Sequence, residues 1–325
     1  MRSSTPRAAR GASLAVLLLL LAALPGVELV RLSPIPGPAS VNAAAHEYGD
    51  EPPGLVAEHA IEGSQPAPSA GPRLLIIGEL VPSKAEIPSG PTTYVPIILY
   101  HYIRINPNPR DREGFSLSTP PAMFAAQMQY LADHGFHVLP LHQAVVAIKN
   151  HTPLPARPVA LTFDDGYADF FTQAVPILAR YGFTATNFVI TGRMGLPGFM
   201  TPSQVVAADA MGFDIGAHTV DHVMLAATST TRATWEMRQS KLALEELLGH
   251  PVLDFAYPYG SFNLYDMAEA RTLGFETAVS TLYGVVHYAG QLFDLSRVRI
   301  GGGLPLTDFA REVGGPLPTV AELRA

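Results

Sequence analysis

The chain has 325 residues, 48% of them hydrophobic, which is ample for a large core. Its formal net charge is -7, and no basic stripe runs along it, which argues against nucleic-acid binding. It contains no cysteine, so disulfides, thiolate nucleophiles, lipoprotein-type acylation and cysteine zinc sites are excluded.

The amino terminus reads as an export signal. Arg2, Arg7 and Arg10 flank an apolar, leucine-dominated run over 12–24, short for a full membrane span. The run extends toward Leu32 only by tolerating Glu28 and Arg31, and the small triplet Ala43-Ala44-Ala45 lies far beyond it. Residues 1–32 are therefore a cleaved signal peptide or an uncleaved signal-anchor. Either one sends the rest of the chain outside the cytoplasm, secreted or tethered to the outer face of the membrane. Residues 33–93 form a linker punctuated by Pro34, Pro36, Pro38, Pro52, Pro53, Pro66, Pro68 and Pro72, with too little apolar patterning to order itself. One island, 74–80, has the composition of a strand.

A folded domain is expected over 94–325, with its core motifs in 157–300. Residues 94–102 are a buried-strand run, followed by helices over 123–134 and 141–149. An apolar run ends at Phe163, and 167–181 reads as a helix closed by Gly182. A strand follows over 184–190, and Thr201-Pro202-Ser203 opens a helix with proline in its first turn. Another strand-like run ends at Gly216. The longest helix spans 230–248, stopped by Gly249. Then come a strand over 253–257, a helix over 263–273 stopped by Gly274, strands over 276–280 and 295–300, and a helix over 305–313. Such alternation implies a parallel sheet, most simply a barrel.

Three motifs stand at the ends of strand-like runs: Thr162-Phe163-Asp164-Asp165-Gly166, His218-Thr219-Val220-Asp221-His222, and Ala256-Tyr257-Pro258-Tyr259-Gly260. Adjacent carboxylates crowd negative charge that a cation relieves. Two histidines four apart share one face of a helical turn and can point at one ion. One carboxylate and two imidazoles leave a coordination position open, and the spare carboxylate can take a proton from water. Each motif alone has a plainer reading. Asp-Asp-Gly is a common turn, HxxxH often lies on a solvated helix face, and an aromatic-proline turn explains the third. Strand carboxyl ends in an alternating chain are nevertheless where active sites sit.

The first two motifs together, in this order and spacing, resemble the polysaccharide deacetylases of carbohydrate esterase family 4, the NodB-homology family. The resemblance covers roughly Val95 to Phe309. It implies a distorted (β/α)7 barrel. It makes Asp164 the general base and Asp165, His218 and His222 the ligands of a divalent metal. Zinc suits that set, and cobalt, nickel or iron(II) fit it too. The backbone N–H of Tyr259 would face the oxyanion, with Pro258 fixing its turn and Thr219 orienting the flanking histidines.

Three departures matter. Ala256 stands where the family has an arginine that steadies the catalytic aspartate, and Arg297 and Arg299 are candidates to replace its charge, though each also reads as a structural ion pair. The family's Asp-Trp motif is missing, the single tryptophan, Trp235, reading as a packing residue in mid-helix. Leu295-Ser296-Arg297 occupies the place of the late LxH motif that supplies the general acid. His101, ending the 94–102 run, is the candidate replacement. It resembles the Tyr-His motif of the branch acting on poly-N-acetylglucosamine, with His287 as the weaker alternative.

The implied activity is hydrolysis of N-acetyl groups from N-acetylglucosamine units of a wall or surface glycan. Poly-N-acetylglucosamine leads, then peptidoglycan and chitin oligomers. Rival readings are an O-acetyl xylan esterase and a non-catalytic glycan-binding protein. No protein partner is inferable.

Overall fold

The structure is a computed structural model that describes residues 90–323. The signal or anchor segment, nearly all of the linker and its 74–80 island lie outside those residues.

In chain order the described strands are β1 (Thr92–Tyr94), β2 (Ile97–Tyr100), β3 (His137–Leu139), β4 (Pro158–Phe163), β5 (Thr186–Val189), β6 (Asp214–Ala217), β7 (Asp254–Ala256), β8 (Thr277–Tyr283), β9 (Val286–Tyr288) and β10 (Leu295–Arg299). The helices are α1 (Arg112–Leu117), α2 (Pro121–Asp133), α3 (Leu141–Asn150), α4 (Val175–Ala179), α5 (Pro202–Ala210), α6 (Thr230–Leu248), α7 (Leu264–Thr272) and α8 (Leu306–Glu312). The first described strand starts at Thr92.

Seven parallel strands close a ring in the order β2-β10-β8-β7-β6-β5-β4, which β2 completes by pairing β4. This is the expected (β/α)7 barrel. β3 pairs the first half of β4, and β1 with β9 forms a separate antiparallel pair.

Alternation along β4 shows how the ring is filled. Val159, Leu161 and Phe163 belong to the outer core, against α2, α4 and their neighbours, while Ala160 belongs to the inner one. All six β4 residues are buried, as expected for a parallel strand covered on both faces. Helix α3 packs Leu141, Ala144, Val145 and Ile148 against Val95, Ile97, Ala160 and Phe188, closing the amino-terminal end of the ring. The carboxyl ends are left for the motif loops.

Local chemistry sets the helix limits. Ser229 caps α6 by accepting from Arg232 N, and Gly249 ends it in the left-handed region at φ 78°. Thr201 and Gln204 form a capping box at α5. The helix expected over 167–181 is present as one helical run over 168–179, but its middle, Phe170–Ala174, is π-helical before it continues as α4. Pro176 is the physical reason: it has no N–H to donate, and its ring crowds the carbonyl one turn earlier.

Candidate active site

The three motifs meet at the carboxyl ends of β4, β6 and β7. Asp164 directly follows β4, and its N–H donates to Tyr100 O. Asp165 and Gly166 follow, both left-handed at φ 79° and 74°. Only a tight reversal needs two such residues in a row, and for a non-glycine this region costs about 1–2 kcal/mol. Thr219, His222 and Tyr259 are left-handed too, so four of the six non-glycine residues with positive φ among those described lie in these loops. Backbone strain concentrated this way points to a functional site.

The histidine motif corrects one expectation. His218 and His222 do not share a helical turn. They lie in an irregular loop after β6, because Thr219 at φ 63° and His222 at φ 59° interrupt any helix. The loop still brings the rings together, with centroids 4.9 Å apart. Thr219 Oγ1 accepts the His222 N–H at 3.0 Å, which folds the second histidine back toward the first. Val220 N and Asp221 N both donate to one oxygen of Glu236, at 2.8 and 2.9 Å.

Asp165 Oδ1 lies 3.4 Å from His218 Nε2 and 3.3 Å from His222 Nε2. Candidate ligand atoms of the three residues all lie within 4.8 Å of one another. His218 Nδ1 sits 2.7 Å from Ala256 O, which makes Nδ1 the protonated nitrogen and leaves the Nε2 lone pair facing Asp165. Two acceptors then confront each other in a buried place, and Asp165 Oδ1 has no hydrogen-bond donor. A proton or a cation must sit between them. The donor set of two nitrogens and one oxygen fits a divalent ion with an open position. Electrostatics agree. Burial pushes Asp165 up, but the two histidines outweigh it and hold its carboxyl well below the usual range. Burial pushes His218 down, yet Asp165 and Asp164 raise it. This negative pocket attracts positive charge.

Asp164 has a different partner. Arg297, 1% exposed, donates from Nη1 to Asp164 Oδ1 at 2.8 Å and from Nη2 to Oδ2 at 2.7 Å. Its Nε donates to Ser280 O, and Nη1 also reaches Thr162 Oγ1 at 3.1 Å. Thr162 in turn donates to Ile98 O, so it anchors the guanidinium as well as filling space. Burial raises Asp164, and Arg297 with His218 and His101 more than offsets it, leaving the carboxyl below its ordinary value. Position 256 carries only a buried methyl group. The guanidinium beside the aspartate comes from β10 instead. Arg299 turns away to Ser116 Oγ.

His101 follows β2 directly beside Asp164, since Tyr100 registers with Phe163. Its Nδ1 is buried without a partner. Burial lowers its pKa, Asp164 and Asp165 pull it back up, and Arg297 and Arg299 oppose them. His287 is elsewhere. It lies on β9 opposite Thr93, donates from Nε2 to Val95 O at 3.0 Å, and is pushed down to about 4 by burial.

Tyr259 stands in the Pro258–Gly260 turn at φ 59°, with its ring centroid 4.4 Å from that of His222 and 55% of its surface exposed. Gly260 is left-handed at φ 67°, and a Cβ there would meet Thr281 Oγ1 at 2.0 Å, so only glycine completes this turn. Trp235 lies within α6, as expected, and packs against a neighbouring side chain rather than into the core. It is 42% exposed and stacks under Arg232 at 4.5 Å.

A parallel barrel with an Asp-His-His set and a spare, arginine-held carboxylate at its carboxyl-end mouth is the architecture of a hydrolase. The polysaccharide deacetylase family profile matches residues 150–278. YxkH of Bacillus subtilis (strain 168), grouped with polysaccharide deacetylases, is 30% identical over 215 residues, 66% of this chain and 74% of that one. The Streptococcus pyogenes deacetylase PplD, solved in complex with acetate, is 32% identical with a TM-score of 0.64, covering 69% of this chain and 99% of that one. The poly-beta-1,6-N-acetyl-D-glucosamine N-deacetylase of Escherichia coli (strain K12) is 24% identical over 240 residues, which are 61% of this chain and 36% of that protein. The chain belongs to the polysaccharide deacetylase family, hydrolases of non-peptide carbon–nitrogen bonds.

Proposed function

We propose that the chain is a metal-dependent deacetylase that removes N-acetyl groups from N-acetylglucosamine units of an extracytoplasmic polysaccharide. The observation that carries this is the unpartnered Asp165 Oδ1 facing two imidazole nitrogens, beside a carboxylate already held by Arg297.

Asp165, His218 and His222 would hold the ion, zinc first by ligand type, with cobalt, nickel or iron(II) as alternatives. When bound it supplies positive charge that polarises an acetyl carbonyl and acidifies water. Asp164 takes the proton of the attacking water. Each of its oxygens accepts one Arg297 bond and keeps a lone pair for that purpose. Arg297 fixes the carboxylate's orientation and keeps it ionised. The Tyr259 N–H, presented by the Pro258 turn, donates to the developing oxyanion. His101 passes a proton to the departing amine, without which an amide breaks poorly.

The poly-N-acetylglucosamine assignment is supported by the Escherichia coli relative's activity and by a histidine placed directly after the first barrel strand. The extracytoplasmic assignment is supported by the arginine-flanked leucine run at the amino terminus. Among the described residues no helix is long and apolar enough to cross a membrane.

The test is acetate release by the purified chain from β-1,6- and β-1,4-linked N-acetylglucosamine oligomers, after chelation and again with zinc or cobalt restored. Metal-restored release from either supports the reading. Glycan binding with no release under any metal would replace it with a binding protein, and release from acetylated xylan alone would make it an esterase.

A further inference from the structure

Glu236 is a fully buried carboxylate beside the histidine loop that the proposed chemistry leaves idle. It is 0% exposed and lies on the first turns of α6. A buried carboxylate is costly unless its oxygens are matched by donors. One oxygen is: it accepts from both Val220 N and Asp221 N, while the other has no hydrogen-bond donor and is met by charge alone, 2.7 Å from Arg232 Nη2 one helical turn earlier. Arg232 also pairs with Asp221, so three charged side chains tie α6 to the loop between His218 and His222.

The other side of that loop is clamped by backbone. Thr191 N donates to Thr219 O and Gly192 N to Val220 O. A Cβ on Gly192 would sit 2.6 Å from Val220 O, so the approach depends on the missing side chain. Held on both sides, the loop keeps Thr219 and His222 in the left-handed region. Without the clamp that region has no compensation, and the loop would relax toward ordinary backbone.

We propose that Glu236 is a positioning residue for the metal centre. Its carboxylate gathers the two loop amides and so presets His222 for coordination. Arg232 pairs with the carboxylate's other oxygen from the exposed side and so does not compete for the amides. The inference rests on the metal reading of Asp165, His218 and His222. Organised this way, the ligands need not reorder on binding, so the clamp acts on affinity for the ion and leaves the chemical step untouched.

The experiment compares the full chain with its Glu236→Ala, Glu236→Gln and Arg232→Met forms. Zinc affinity is measured by competition with a chromophoric chelator, and hydrogen exchange at the Val220 and Asp221 amides is measured in the metal-free proteins. The expected result is zinc affinity weakened about tenfold to a hundredfold in Glu236→Ala. Glu236→Gln, which keeps one acceptor, falls between. Turnover at saturating zinc returns close to the unmutated rate, and the two amides lose protection while the α6 amides keep theirs. Unchanged affinity and unchanged exchange in a folded Glu236→Ala protein overturn the proposal. If Glu236→Ala does not fold, Arg232→Met decides. It leaves Glu236 in place but removes its counter-charge, and weakened zinc binding supports the clamp whereas unaltered binding overturns it. Failure of the unmutated chain to bind zinc would count against the metal reading, while the amide exchange would still report on the clamp.

Discussion

Arg297 and Asp164, 133 positions apart, form a buried fork in which both guanidinium Nη atoms meet both carboxylate oxygens. The positive charge that the family takes from the third motif is here delivered across the barrel from β10. Burying two charges is repaid only when geometry and further hydrogen bonds are complete. Ser280 O and Thr162 Oγ1 accept two further hydrogen bonds from the arginine, so four of its five N–H donors are matched.

Removing Arg297 therefore damages both fold and function. Arg297→Met leaves a buried, unpaired carboxylate and should cost about 3–5 kcal/mol of stability, read by denaturant melts. Asp164 lies below its ordinary value in the native state, so its contribution to stability is present above the unfolded pKa and fades as pH falls through the folded one. In Arg297→Met burial acts without the opposing charge, and the acidic limb of kcat/KM should move to higher pH. Arg297→Lys should keep the charge, lose the fork, and fall between the two.

The metal set predicts loss of ion and turnover together. His218→Ala and His222→Ala should each lose stoichiometric zinc on dialysis, measured by elemental analysis. Asp164→Asn should keep zinc and lose acetate release. Zinc at one hundred times its Kd should stabilise the unmutated chain by about 2.7 kcal/mol, seen as a rise in Tm, and should not do so in His218→Ala. Retained metal in His218→Ala would remove that residue from the ligand set.

His101→Ala should reduce acetate release about a hundredfold to ten-thousandfold, the usual contribution of a positioned proton donor. Zinc content should be unchanged. An activated ester of acetic acid, whose leaving group departs without a proton, should be hydrolysed at a rate much less affected. Equal losses on both substrates would assign His101 a structural role.

A pH effect on stability comes from inside the barrel. Asp254 shares the inner face of β7 with Ala256, has one unpartnered oxygen, and is raised to about 7 by burial, then by Asp214 and Glu276, with Lys241 opposing. A raised carboxyl binds more protons folded than unfolded between about pH 4 and pH 7. Its penalty therefore grows through that window and is complete above it. Asp254→Asn should stabilise the protein at pH 8 by at least about 1 kcal/mol and change it little at pH 4, in denaturant melts at the two pH values.

Much of this was legible in the sequence, for identifiable reasons. α6 was readable because a long helical pattern and a terminal glycine agree. Asp164, Asp165, His218 and His222 were readable because they follow apolar runs that became β4 and β6. The helical geometry of the histidine motif was misread, since the left-handed Thr219 and His222 are imposed by Glu236, Thr191 and Gly192, none of them adjacent in sequence to the histidines. The strands β1, β3 and β9 are three residues each, too short for a periodic signal. Arg297 appeared as one of two candidates, and only barrel closure distinguishes it, turning Arg297 to Asp164 and Arg299 to Ser116. Glu236 gave no sequence signal beyond being an acidic residue on a helix.

Ring closure has a consequence for how the protein is made. β2 pairs with β4, but its other edge waits for β10, where Ile98 meets Val298. His101 emerges from the first of these strands, and the partner of Asp164 from the last. A chain threaded from its amino terminus thus carries every motif long before the final staves arrive, yet the barrel stays open and the fork unmade until the end. Such late, long-range pairing is slow to form and leaves an unsealed edge meanwhile. Appearance of activity is accordingly a stopwatch for completed assembly, and a chain cut short before β10 would be inert even with the whole Asp-His-His set in place.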